Sequence, residues 1–224
     1  MHCRAEAQYR RDPRELTFLE GQKLIDEIYE MNQPMLVFSG GDPLMREDIY
    51  KLADYAVQKG LRVSMTPSAT PNVTKKAIQK AKEVGLARWA FSVDGATAET
   101  HDRFRGTAGS FQLTMDAIQY LNELQIPVQI NTTISKYNIH EVEEMATLVE
   151  QLGGVLWSVF FLVPTGRGNI DDMISPAEHE LVFHKLYKIG KKASFDIKTT
   201  AAQHYRRVVM QQKNNREIRY EDAL

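Results

Sequence analysis

The chain has 224 residues, enough for one α/β barrel-type domain or two small ones, and a fold of that size buries roughly 70% of its unfolded surface. Apolar residues make up 43% and charged residues 25%, ordinary for a globular protein, and a formal net charge of −1 gives no electrostatic reason to expect nucleic acid or an anionic membrane as partner. The longest apolar stretch, Val155 to Pro164, is broken by Ser158 and is half a membrane span, the N-terminus is too polar for a signal peptide, and the single cysteine forms no internal disulfide, so a reducing cytoplasm is the expected compartment.

In chain order, the polar segment Met-His-Cys3-Arg-Ala-Glu-Ala comes before any strand. Thr17-Phe-Leu-Glu20 is a capping box opening a helix with Leu24, Ile28 and Met31 on one face. Met35–Phe38 is the first strand candidate. Ile49, Leu52, Ala53, Ala56 and Val57 then follow helical spacing up to a stop at Gly60. Leu61–Met65 is the second strand. Pro71 stands where a first helical residue would, ahead of Val73, Ala77, Ile78 and Ala81, with Gly85 as terminator. Trp89–Val93 and Val128–Ile134 are the third and fourth strands. Asn138 can cap a helix presenting Val142, Met145, Ala146 and Val149, ended by Gly153. Val155–Val163 is the fifth strand. Ser175-Pro-Ala-Glu178 joins a cap, an N1 proline and an N3 acid ahead of Leu181, Leu186 and Ile189. Phe195–Lys198 is a weaker sixth strand.

The strand centres recur at about the length of a βαβ unit, roughly 30 residues. Several strands are continuously apolar, as parallel strands covered on both faces are. Strict alternation predicts an α/β fold with a parallel sheet, either open and doubly wound or a partial or full (β/α) barrel. The opening helix precedes every strand, whereas a barrel starts on a strand, and the tail from Gln211 is polar. Both ends therefore read as cut.

In such barrels the site lies at the C-terminal strand ends. Polar and glycine residues collect there: Ser39-Gly40-Gly41-Asp42-Pro43, Thr66-Pro67-Ser68, Ser92-Val-Asp94-Gly95, Asn131 with Thr133, and Pro164-Thr-Gly166-Arg-Gly168. Gly40-Gly41-Asp42-Pro43 lets backbone approach a ligand and sets a carboxylate beside freed N–H groups, which suits an α-amino group, though an ordinary βα turn has the same look. Asp94 also fits a barrel-interior carboxylate, and Ser92, Asn131 and Thr133 fit small strand residues in hydrogen bonds. Arg103 and Arg105 suit either a bound carboxylate or surface ion pairs. Arg167 suits an anion, Tyr205-Arg-Arg207 with Lys213 suits a solvated helix face, and no histidine pair has helical zinc spacing.

These motifs, in their order and spacing, resemble the radical S-adenosylmethionine (radical SAM) superfamily from about Met1 to Lys198. Gly40-Gly41-Asp42-Pro43 is similar to its Gly-Gly-Glu-Pro motif, with Asp42 in place of Glu. Met-His-Cys3-Arg-Ala-Glu-Ala resembles the tail of its Cys-x3-Cys-x2-Cys loop. Ser92-Val-Asp-Gly95 followed by His101-Asp-Arg-Phe-Arg-Gly106, and Pro164-Thr-Gly-Arg-Gly168, resemble the branch bearing a SPASM-type auxiliary-cluster extension. The resemblance implies a partial (β/α)6-type barrel lacking its first strand over residues 1–200, and the start of a cut C-terminal extension over 201–224. It implies a [4Fe-4S] cluster with Cys3 as a metal ligand, and S-adenosylmethionine held by Gly40, Gly41, Asp42, Pro43, Ser92, Asp94, Asn131, Thr133, Pro164 and Gly166. Cleavage to a 5′-deoxyadenosyl radical would then modify a peptide or tetrapyrrole-type small-molecule substrate, with electrons from a reductase or flavodoxin-type donor. The family spacing puts the other two cysteines ahead of Met1, so this chain alone is expected to be inactive, whether it is a piece of a longer protein, has a mis-set start or is a gene remnant. The competing readings are an iron-free (β/α) barrel lyase or aldolase, for which Lys198 is the nearest base, and a non-catalytic remnant.

Overall fold

A computed structural model describes residues 12–213. Cys3 and the segment from Asn214 onward lie outside the described residues. In chain order the elements are α1 (Phe18–Glu30), β1 (Leu36–Phe38), α2 (Ile49–Gln58), β2 (Val63–Met65), α3 (Lys75–Glu83), β3 (Arg88–Ser92), α4 (Ala98–Arg105), α5 (Ser110–Glu123), β4 (Val128–Ile134), α6 (Val142–Gln151), β5 (Leu156–Phe161), α7 (Pro176–Gly190), β6 (Asp196–Thr200) and α8 (His204–Lys213). The six strands form one open parallel sheet in the order β1-β2-β3-β4-β5-β6. Each crossover advances by one strand in the same direction, and right-handed crossovers of that kind place their helices on the same face. This is the winding of a barrel wall, not of a doubly wound sheet, and the expected α/β barrel-type architecture is present.

That winding gives the sheet two unlike faces. Val128, Ile130, Thr132 and Ile134 of β4 are buried, while Gln129, Asn131 and Thr133 between them are half-buried. Trp89, Phe91, Trp157, Val159 and Phe161 join the buried set under the helices. The register aligns Ser92, Asn131, Ser158 and Lys198 across the other face, with Gln129 and Asp196 in the adjoining row. The expectation of strands apolar on both sides is thus corrected for β4 and β6. One face packs on helices, and the other is a polar wall.

Two capping boxes form as their sequences predict: Thr17 with Glu20, and Ser175 with Glu178 ahead of Pro176. Two other helix starts differ. Pro71 does not open α3; Thr74 does, its hydroxyl accepting from Ala77 N–H at 3.1 Å, which satisfies an end donor that a proline leaves untouched. Asn138 precedes only a short 3₁₀ turn and caps nothing, because its side chain is committed to the loops described below. Among the described residues, no helix is long and apolar enough to cross a membrane.

Candidate functional site

The C-terminal strand ends are stitched together in pairs. After β1, Asp42 caps the turn Pro43–Met45, its Oδ1 accepting from Leu44 N–H at 3.0 Å and its Oδ2 from the Thr70 hydroxyl at 3.1 Å. The Ser68 hydroxyl donates to the Gly41 carbonyl at 3.2 Å, so the loop after β2 braces the loop after β1. Gly40 has φ of +123°, and a Cβ there would meet nothing within 4 Å. It is glycine for its backbone conformation, and its Cα faces open space where a ligand can approach. Gly40 and Gly41 are exposed and Pro43 is buried.

The second pair of loops turns on Asp94, which is 1% exposed. Its Oδ1 accepts from Thr133 N–H at 2.7 Å and its Oδ2 from Arg105 Nη1 at 3.2 Å. The carboxylate thus continues the β3–β4 ladder where β3 ends, after Val93 N–H has bonded Asn131. Asn138 Nδ2 donates to the carbonyls of Asp94 and Thr133, and His101 Nδ1 accepts from Asp94 N–H at 3.1 Å. A Cβ on Gly95 would lie 2.5 Å from His101 N, so only glycine allows α4 to pack this close. Burial holds the His101 imidazole below its ordinary pKa, against the opposite pull of Asp94. For Asp102, burial raises the carboxyl's pKa, but bonds from Phe111 N–H, Gly109 N–H and the Ser110 hydroxyl together bring it below the usual range.

Arg105 is therefore the partner of Asp94, while Arg103 sits over the Tyr137 ring at 5.9 Å. Beyond β5, Pro164, Gly166 and Arg167 are exposed, and Gly168 passes so near Val163 that a Cβ would lie 2.6 Å from its carbonyl oxygen. Lys136 N–H reaches the Asp172 carbonyl and ties this loop to the one after β4. The structure thus brings Gly40, Gly41 and Asp42 together with Thr70 and Ser68, and Ser92, Asp94, Asn131 and Thr133 together across β3 and β4. Sequence reasoning did not single out Thr70, Gln129 or Arg88. For Gln129 the signal was there, since it extends the period of two begun by Asn131 and Thr133.

A cation fits beside Asp42: a carboxylate has about four lone-pair sites, and two are occupied here. An iron–sulfur cluster does not fit on these residues. Three thiolates are needed, the sequence contains one cysteine, and among the described residues no three His, Cys, Asp or Glu side chains group to hold a metal.

A family model for the radical SAM superfamily matches residues 1–149. The AdoMet-dependent heme synthase of Methanosarcina barkeri is 41% identical over 212 residues, covering 95% of this chain and 60% of the relative. The mycofactocin maturase MftC of Mycobacterium tuberculosis is 32% identical over 169 residues, covering 75% of this chain and 42% of the relative. The chain thus spans about half the length of such relatives. Among solved structures, Streptococcus suis SuiB bound to S-adenosylmethionine superposes with a TM-score of 0.72 at 15% identity, over 86% of this chain and 45% of that one, which shows the shared barrel-type fold. The chain belongs to the radical SAM superfamily, whose members use a [4Fe-4S] cluster and S-adenosylmethionine.

Proposed function

As a member of the radical SAM superfamily, this chain, we propose, forms the S-adenosylmethionine-binding wall of an enzyme that modifies a tetrapyrrole. The observation that carries the reading is the braced turn Gly40–Pro43, where Gly40 holds a φ of +123° with open space beyond its Cα, beside the Asp42 carboxylate. The Asp42 oxygens are held in place by Leu44 N–H and the Thr70 hydroxyl before any ligand arrives.

 The Asp42 side chain itself is half-buried, and Gly40 and Gly41 beside it are exposed. In this reading Asp42 pairs with the amino group of the cofactor's methionine part, and Gly40, Gly41 and Pro43 shape the turn around it. Ser92, Asn131 and Thr133 line the polar wall beyond, Asp94 ties the end of β3 to Thr133 of β4, and Pro164 and Gly166 border the adenine side.

A [4Fe-4S] cluster bound in the whole protein would supply the electron for reductive cleavage of S-adenosylmethionine, giving methionine and the radical that the superfamily's chemistry requires. No step of that chemistry is assigned to residues of this chain, which supplies Cys3 as one thiolate only. Its residues bind and orient the cofactor. A tetrapyrrole leads as substrate class because the heme synthase matches at 41% identity over 95% of the chain; the maturase match keeps a peptide as the second reading. The setting proposed is a reducing cytoplasm with a flavodoxin-type electron donor.

The test is calorimetric binding of S-adenosylmethionine at millimolar concentration to the 224-residue chain and to Asp42→Asn. The amide keeps an oxygen for Leu44 N–H but loses the charge, so affinity is expected to fall about tenfold, the size of one charge-assisted hydrogen bond. Equal affinity of the two proteins contradicts the assignment.

A further inference from the structure

Three side chains on the polar wall form a directed chain of hydrogen bonds. Arg88 Nη1 donates to Gln129 Oε1 at 3.2 Å, and Gln129 Nε2 donates to Asn131 Oδ1 at 2.8 Å. Amide orientation is ordinarily ambiguous, because oxygen and nitrogen are nearly isosteric. Here it follows from chemistry. A guanidinium carries donors and no acceptor, so the Gln129 atom facing it is the carbonyl oxygen. The Gln129 NH2 group must then face Asn131, and it demands the Asn131 oxygen. The Asn131 NH2 group is left turned away, with no hydrogen bond to any described residue. Asn131 is the register partner of Ser92 and stands two residues before Thr133, so its free donor lies on the wall just below the strand-end loops.

We propose that Arg88 and Gln129 are positioning residues that set the polarity of the Asn131 amide, making it a fixed hydrogen-bond donor toward an acceptor atom of S-adenosylmethionine. This rests on the cofactor reading above. Neither Arg88 nor Gln129 touches the ligand in this arrangement; they act through Asn131. An unconstrained asparagine offers donor or acceptor with equal ease and loses affinity to the wrong orientation. The two residues remove that choice before the cofactor binds.

One substitution reverses the Asn131 amide while keeping the Arg88 pairing. In Gln129→Glu the new carboxylate still accepts from Arg88, so the fold keeps its pairing and gains charge complementarity. It has no donor for Asn131. The Asn131 amide must turn over and donate to Glu, which aims its oxygen at the ligand instead. Two readouts on the full chain decide the matter. The first is the exchange of side-chain NH2 protons seen by nuclear magnetic resonance without any ligand. Unmutated protein should show a protected Gln129 NH2 and a fast-exchanging Asn131 NH2, and Gln129→Glu should show Asn131 protected. The second is S-adenosylmethionine affinity: Gln129→Glu should weaken it about tenfold, yet less than about twofold when Asn131→Ala is already present, as coupled residues do.

Unchanged Asn131 exchange in Gln129→Glu would overturn the proposal. So would an equal loss of affinity in both backgrounds, which marks a merely structural effect. If the unmutated chain binds no S-adenosylmethionine, the cofactor reading fails, while proton exchange still decides the amide polarity by itself.

Discussion

Asp94 is 1% exposed and holds the strand-end loops together. Its oxygens accept from Thr133 N–H and Arg105, and its own N–H goes to the buried His101 ring. That last bond needs an unprotonated Nδ1. The groups around the ring are Asp94, Arg105, Asp102 and the Phe111 ring at 5.5 Å. Because burial lowers the folded-state pKa of His101, the unfolded chain binds the proton more readily. The stability this confers is complete above the unfolded value of about 6.5 and is lost as pH falls through the lower folded value. Urea denaturation at pH 7.5 and below pH 6 should therefore show a drop that His101→Gln largely abolishes. An identical pH dependence in the variant would contradict the role given to this ring.

At the scale of elements, β4 organises the site, and one hydroxyl on its helix-facing side shows how. Trp157 Nε1–H donates to Thr132 Oγ1 at 2.8 Å, and the Thr132 hydroxyl donates to the Val93 carbonyl at 2.6 Å, next to Asp94. Thr132→Val preserves shape but strands a buried indole N–H and frees that carbonyl. It should cost about 1–3 kcal/mol in urea denaturation, and a loss below about 0.5 kcal/mol would contradict this. The strands were legible in the sequence because apolar runs at βαβ spacing are a strong signal, and β4 was read to the residue. Helices α4 and α5 were not, since α4 is polar along most of its length and its residues drew notice as a motif. Pro71 misled because proline at a helix start is common, while Thr74 three residues later offered the better cap. The loop residues of the site were legible for the same reason as the strands: they follow each one. The place of Gln129 on the site face was legible from its period of two with Asn131 and Thr133, but its pairing with Arg88 was not, because that depends on the β3–β4 register, which no single strand's pattern contains.

At the scale of the whole molecule, a sheet wound in one direction leaves its unhelical face polar, and six strand ends open on the same side. That arrangement offers a binding wall. With one cysteine in 224 residues, it does not offer a cluster site of its own. Anaerobic reconstitution of this chain with iron and sulfide should accordingly yield little stable cluster; about four irons per chain, with the absorbance of a [4Fe-4S] protein, would contradict that. In the proposed function, S-adenosylmethionine lies against the strand ends. Hydrogen exchange followed by mass spectrometry, with and without millimolar S-adenosylmethionine, tests it most directly. Slowed exchange is expected in the loops at residues 39–43, 66–70 and 162–168 and at the end of β4. Protection confined to the helical side, such as the shallow groove of Met115, Asn122 and Leu152 between α5 and α6, or no protection at all, would contradict it.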